Sequence, residues 1–306
     1  MPVSSTLASW PAEPPRATQT FDTPCPGGPV ESELLAGLTV GLLALGTATF
    51  GSIGGLGGAV LLVPALVLLG WSPLEAAPIG IAMSAAGALA AVPRQTLKGL
   101  TNYRLGVSLE IAASIAAAGG ALLSVVLPVN AVQYALGGAA IAASLAGGLR
   151  KGQRNLPVDG ADLAELGDQP GRLASAYPDQ AGRVIPYEVA RFKTGLTLIG
   201  GAGLLAGLTG VSGGFIKTPV MSEVMRVPVK VAAATTMFMI GVTAAVTVAV
   251  YASQGRITAA IAPAVLGGLL GGRIGAAAQA RLPAALVRQL LSAAMLVIGI
   301  VLVVRA

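Results

Sequence analysis

The stretch LLAGLTVGLLALGTATFGSIGGLGGAVLLV, residues 34–63, holds no Asp, Glu, Lys or Arg and places Gly54, Gly55, Gly57 and Gly58 close together near its middle. A helix needs ~20 apolar residues to cross the hydrocarbon core of a bilayer. The run is therefore long enough to enter a membrane, but its glycine cluster lets the backbone leave helical dihedrals before a second helix can start. An apolar helix, a break and a short helix is the pattern that decides the fold. Further uncharged runs cover Ala76 to Pro93, Ile111 to Leu149, Thr194 to Ile216, Val231 to Gln254 and Ile257 to Gly272.

Composition agrees. Hydrophobic residues make up 54% of the chain and charged residues 10%, against about 25% charged in a soluble domain. Such apolar content excludes disorder. The chain has no histidine and a single cysteine, Cys25, which excludes an internal disulfide, a structural zinc cluster and a Cys-His nucleophile. We expect an all-α polytopic membrane protein without cofactor or metal. The net charge of +6 follows from loop topology and does not imply a nucleic-acid partner. The bilayer is the expected surrounding.

Ten apolar segments emerge, near 34–50, 56–70, 76–93, 105–127, 130–149, 194–211, 213–225, 229–251, 258–280 and 284–304. The second and seventh are short enough to be half-helices or re-entrant pieces, so eight to ten spans are expected. Residues 1–32, rich in Pro, Ser and Thr, read as a disordered tail without the pattern of a cleaved signal peptide. Residues 33–149 and 194–306 read as two transmembrane repeats joined by a polar linker, 150–193.

Lys- and Arg-rich short loops stay on the cytoplasmic side. Alternate threading puts Arg94, Lys98, Arg104, the linker, Arg226, Lys230 and Arg281 on one side, and only Arg16, Arg256 and Arg305 on the other. The linker is then cytoplasmic and both termini lie outside.

A shift of 155 residues aligns the chain with itself. Gly55-Leu56-Gly57-Gly58-Ala59 falls on Gly210-Val211-Ser212-Gly213-Gly214, Pro64 on Pro219, Pro73 on Pro228, Gly120 on Gly275 and Leu127-Pro128 on Leu282-Pro283. Each copy holds an odd number of crossings, so the second enters the membrane inverted. Inverted repeats that meet at the midplane are a recurring transporter architecture, and matched Gly-broken segments point to its binding site. An interrupted helix offers amide donors and a dipole to an anion. Close helix packing is the alternative use of small residues. The candidate site residues from the two breaks are Gly57, Gly58, Ser212, Gly213 and Gly214.

The motifs Gly-Ser-Ile-Gly-Gly-Leu-Gly-Gly-Ala-Val-Leu-Leu-Val-Pro (51–64) and Gly-Val-Ser-Gly-Gly-Phe-Ile-Lys-Thr-Pro (210–219) resemble the paired glycine motifs of the sulfite exporter TauE/SafE family. The stretch 227–236, Val-Pro-Val-Lys-Val-Ala-Ala-Ala-Thr-Thr, is similar to the continuation of its second motif. The resemblance, over roughly 34–304, implies a bacterial inner-membrane permease with sulfite or an organosulfonate as its small anionic substrate. Two features depart from the pattern: Gly80-Ile81-Ala82 where members commonly carry Gly-Thr-Ser, and Ala59 in place of a third glycine. The first repeat is thereby left with fewer hydroxyl donors, through Ile81 and Ala82.

Charges inside apolar segments are costly and therefore informative. Lys217, whose repeat counterpart is Leu62, either adds a cation to an anion site or snorkels to an interface. Arg273 either binds an oxyanion bidentately or snorkels. Glu110, near the start of the fourth segment, either snorkels or couples transport to protons. Glu223 either pairs with Lys217 or ends its helix. Thr235, Thr236 and Ser84 offer hydroxyl donors or pack helices.

A secondary transporter is the leading functional reading; an anion channel is the alternative. An enzyme is not expected, because paired carboxylates and nucleophiles are missing at bilayer depth, and there is no Gly-x-x-x-x-Gly-Lys-Ser/Thr loop for ATP. The topology has a direct check. A reporter fused after Ala306 should be active only if exported, and a cytoplasmic signal would contradict the threading.

Overall fold

The computed structural model describes residues 30–128, 173–178 and 184–278, with isolated helical positions between 130 and 145 and at 296, 300 and 304. Most of the expected tail, most of the linker, and the fifth and tenth segments apart from those positions lie outside the described residues, as do Cys25, Arg281 and Leu282-Pro283. Residues 1–36 and 37–306 are separate compact units, and only the opening of α1 is described in the first.

The element order is α1 (Val30–Gly54), α2 (Ala59–Leu68), α3 (Pro73–Leu97), α4 (Tyr103–Leu123), β1 (Ser175–Pro178), β2 (Val184–Tyr187), α5 (Phe192–Thr209), α6 (Gly214–Pro219), α7 (Val229–Ser253) and α8 (Ile261–Ala278). A π-helical turn, Val220–Val224, continues α6 directly. Among the described residues six helices are long and apolar enough to cross a membrane: α1 from Leu35, α3, α4, α5, α7 and α8. Local chemistry sets several ends. Ser72 and Glu75 form a capping box at the start of α3, with Pro73 in its first turn. Asn102 caps α4 by accepting from the Leu105 N–H at 3.0 Å. Gly55 and Gly210 follow α1 and α5 with φ of 65° and 70°, a left-handed geometry that ends a helix and favours glycine.

The outer faces are apolar. Ile111, Ile115 and Leu122 on α4 are exposed, as are Leu266, Leu270 and Ile274 on α8. The opposite faces turn inward: Leu109, Ala113 and Ala117 on α4 and Ala264, Gly267 and Gly271 on α8. A lipid-facing helix needs this pattern, whereas water would penalise so much exposed aliphatic surface.

The internal register survives in the helix boundaries. Both α1 and α5 end 155 residues apart (209 − 54), α2 and α6 start 155 apart (214 − 59), and α3 and α7 start 156 apart (229 − 73), with α4 and α8 following in turn. Packing exchanges the last of these helices. One core cluster joins Leu105, Leu109 and Ala113 of α4 to Ile199 of α5, Met221 and Met225, and Val231 and Met239 of α7. Another joins Val40 and Ala44 of α1 to Leu62 and Leu66 of α2, Met83 of α3 and Ala264 of α8. The contacts are reciprocal in detail. A Cβ added at Gly120 would overlap the Leu204 carbonyl, and one added at Gly275, 155 residues on, would overlap the Thr49 carbonyl, 155 residues back. Glycine thus lets these helix pairs approach backbone to backbone.

The linker contributes more than a polar connector. β1 and β2 form an antiparallel hairpin, pairing Ser175 with Tyr187 and Pro178 with Val184. Tyr187 is buried in the α4–α7 cluster. Its hydroxyl accepts from Asn102 Nδ2 at 2.9 Å, while the Asn102 N–H donates to Thr235 Oγ1 at 3.0 Å. The α3–α4 connection is thereby tied to α7 and to the hairpin. Arg256, in the α7–α8 connection, makes the counterpart tie. Its guanidinium donates to the Leu74 carbonyl at 2.6 Å and to Ser124 Oγ at 3.0 Å, and stacks 4.2 Å from the Tyr251 ring centroid.

Substitution separates packing glycines from idle ones. A Cβ at Gly207 would run into the Ala117 carbonyl, whereas one at Gly201 would meet nothing within 4 Å. Gly207→Ala should cost about 1–3 kcal/mol through overpacking and lower the melting temperature in detergent, and Gly201→Ala should leave it unchanged or raise it. Equal melting temperatures would contradict the packing.

Candidate functional site

The two glycine breaks meet. The chain between α1 and α2 lies against the chain between α5 and α6, and side chains of the second break bond to backbone of the first. Ser212 Oγ donates to the Leu56 carbonyl at 3.1 Å, and Thr218 Oγ1 donates to the Gly55 carbonyl at 2.8 Å. On the donor side, the Ala59 N–H at the start of α2 gives its hydrogen to Ser84 Oγ at 3.1 Å. The glycines make this approach possible. A Cβ at Gly57 would overlap Ser212 Oγ, and one at Gly214 would lie 2.5 Å from the Leu56 carbonyl oxygen. Gly58 meets Ala48 of α1 and Gly213 meets the Ala202 carbonyl of α5 in the same way. Gly55 abuts Ala233, and Gly210 abuts Ala77. All of these residues are brought together, and here the glycines serve close packing.

Beside the crossing lies a buried charge pair. Lys217, three residues into α6, is fully buried, and its ammonium donates to Glu110 Oε2 at 2.9 Å. It also donates to the Thr243 hydroxyl, which itself bonds to Glu110 Oε1. Ser114 Oγ, one turn along α4, donates to the same carboxylate oxygen at 2.8 Å. Glu110 is 3% exposed and Thr243 0%. The group draws on α4, α6 and α7, and Thr247 extends it along α7 by donating to the Thr243 carbonyl at 2.8 Å. A buried charge persists only when it is paired and hydrogen-bonded, and both charges here are.

Placement corrects several expectations. Lys217 and Glu110 do not snorkel; they neutralise each other 107 positions apart in sequence. Lys217 does not pair with Glu223, which is half-buried at the end of the π-helical turn and accepts from Ser222 Oγ at 3.3 Å. Thr235 is buried and holds the α3–α4 connection through Asn102, and Thr236 contacts Met221 Sδ at 3.6 Å. Both belong to the walls around the crossing and point to structural partners. Arg273 stands exposed on α8 and is not gathered with the others. Thr243 and Ser114 went unnoticed, because a hydroxyl in an apolar helix gives no sequence signal until a charge is found beside it. Among the described residues no cluster of three His, Cys, Asp or Glu side chains is placed to hold a metal ion.

Among the described residues, six long apolar helices and two short ones meeting at their breaks beside a neutralised charge pair define a multi-pass membrane protein. Residues 40–302 match the family model "Sulfite exporter TauE/SafE", and the chain belongs to that family. No curated protein and no solved structure matches it.

The pair makes a clear energetic prediction. Glu110→Ala leaves Lys217 buried without a counter-ion and should destabilise the protein by about 3–5 kcal/mol. A Lys217→Met/Glu110→Leu double variant should recover most of that loss. Thermal unfolding in detergent would read both, and an additive double variant would contradict the pairing.

Proposed function

We propose that the protein is a secondary transporter that moves small sulfur-containing anions, sulfite or organosulfonates, across a bacterial inner membrane by alternating access. Membership of the sulfite exporter family supports the substrate class. The observation that carries the reading is Lys217, a lysine with no exposed surface beside two helix breaks that contact each other. Lysine is seldom buried without a purpose, and a cation at membrane depth marks an ion or substrate path. An anion with sulfonate or sulfite oxygens can accept from its ammonium as Glu110 does.

Residues 33–149 and 194–306 act in this reading as two inverted repeats around the crossing, with the 150–193 linker cytoplasmic and both termini outside. The matched element boundaries and the reciprocal exchange of α4 and α8 support a two-fold relation between the halves. Exchanging the conformations of two such halves would open the site alternately to each side. The Asn102–Tyr187 and Arg256–Leu74 ties, at the two equivalent connections, are the contacts that such an exchange would break in turn. The chain carries out no covalent chemistry in this mechanism and needs no cofactor.

Flux in proteoliposomes tests the proposal. Sulfite or a small sulfonate should accumulate against its gradient, and an ionophore should abolish the accumulation; purely downhill flux would favour a channel. Lys217→Gln should lower the rate of anion transport at least about tenfold, the scale of a lost charge-assisted hydrogen bond, while the protein still inserts. Unchanged kinetics in that variant would remove Lys217 from the site.

A further inference from the structure

Lys217 is already occupied, and by a carboxylate. We infer that Glu110 is a resident counter-anion that the substrate must displace, so that each transported anion is a monoanion accompanied by a single proton. The inference rests on the sulfur-anion transport reading and specifies its substrate charge and its coupling.

Charge balance at the buried site decides what can enter it. With Glu110 ionised, Lys217 and Glu110 together carry no net charge, and Glu110 Oε2 fills the ammonium's anion position at 2.9 Å. An anion entering that arrangement would bring an uncompensated negative charge into a site with no exposed surface at Lys217 and 3% at Glu110. Low-dielectric surroundings penalise such a charge heavily. Transfer of a proton from water to Glu110 removes the carboxylate's charge and dissolves the ion pair. The neutral carboxyl keeps Ser114 and Thr243 as hydrogen-bond partners, and the ammonium is free to donate to a substrate oxygen. The site then carries a single positive charge. A monoanion returns it to neutrality, while a dianion leaves a buried negative charge. Protonation without an anion is penalised equally, because it strands Lys217. Proton and anion therefore bind together or not at all.

The groups packed around the pair support this balance. The other charged side chains on the adjoining elements are Arg104 on α4, Lys193 on α5, Glu223 on the π-helical turn and Lys230 on α7. Arg104, Lys193 and Lys230 are exposed, and Glu223 bonds to Ser222. Tyr251 on α7 is buried and donates to the Gly207 carbonyl. The bonds of Glu223 and Tyr251 thus go to Ser222 and to the Gly207 carbonyl, away from the pair.

Geometry also makes the exchange a mechanical event. Glu110 sits on α4, which is followed by the linker, and Lys217 sits on α6, which follows it. Their bond fastens the two halves of the chain together, so the proton that admits the anion also releases that fastening.

Proton uptake on binding tests the inference directly. Purified full-length protein in lipid nanodiscs is titrated calorimetrically with methanesulfonate, a monoanion throughout the working pH range, in buffers of different ionisation enthalpy. The wild type should take up close to one proton per anion bound, and sulfate should bind at least about tenfold more weakly. Glu110→Gln should still bind methanesulfonate, take up no proton and lose the pH dependence of its affinity. Should that variant fail to fold, difference infrared spectroscopy of the wild type supplies the same answer. A protonated-carboxyl C=O band must appear when methanesulfonate is added. Binding without proton uptake, uptake that persists in Glu110→Gln, or the absence of the carboxyl band would overturn the inference and leave the transporter reading standing. Absence of any binding or transport of methanesulfonate, ethanesulfonate and sulfite would take down that reading, and this inference with it.

Discussion

A backbone broken at membrane depth has to be satisfied by protein, because hydrocarbon offers no hydrogen bonds. The rest of this structure follows from how that requirement is met. The carbonyls of Gly55 and Leu56, freed where α1 ends, are taken up by Thr218 and Ser212 of the second break, and the Ala59 N–H is taken up by Ser84. The side chains that satisfy the two carbonyls of the first break are carried by the second half, and the absence of Cβ atoms at Gly57 and Gly214 lets the two chains come close enough to do so.

That capping of the first break by the second fixes where Lys217 lies. The residue is next to Thr218, so the bond that satisfies Gly55 also holds α6 in place, and the lysine projects toward α4 and α7, where Glu110 and Thr243 meet it. The first half has Leu62 at the equivalent position, buried in an aliphatic cluster. Of the two register-matched positions, 62 and 217, one is thus aliphatic and the other charged. This asymmetry is compatible with a transporter that binds one anion at the crossing of two similar halves.

Much of the fold could be read from residues alone. The bounds of the apolar segments lie within a few positions of the described helix ends, since charges and prolines collect where a helix leaves the bilayer. The short α2 and α6 were visible because Gly54–Gly58 and Gly210–Gly214 interrupt otherwise continuous apolar stretches. What stayed hidden was tertiary. Glu110 and Lys217 are separated by 107 positions that include the whole linker and α5, and each alone looks like a residue near an interface. Only the exchange of α4 into the second half brings them together. Tyr187 and Arg256 were hidden for the same reason. One sits in a polar linker and the other in a short connection, and their roles come from Asn102, Leu74 and Ser124 on distant segments.

The central claim is that the anion binds at Lys217, between the two breaks. An experimental structure of the protein with a heavy-atom analogue bound, selenite for sulfite, would test it most directly through the anomalous signal of selenium. The account predicts a selenium peak beside the Lys217 ammonium, with Glu110 withdrawn from it. A peak elsewhere, with the Lys217–Glu110 pair still closed, would contradict it.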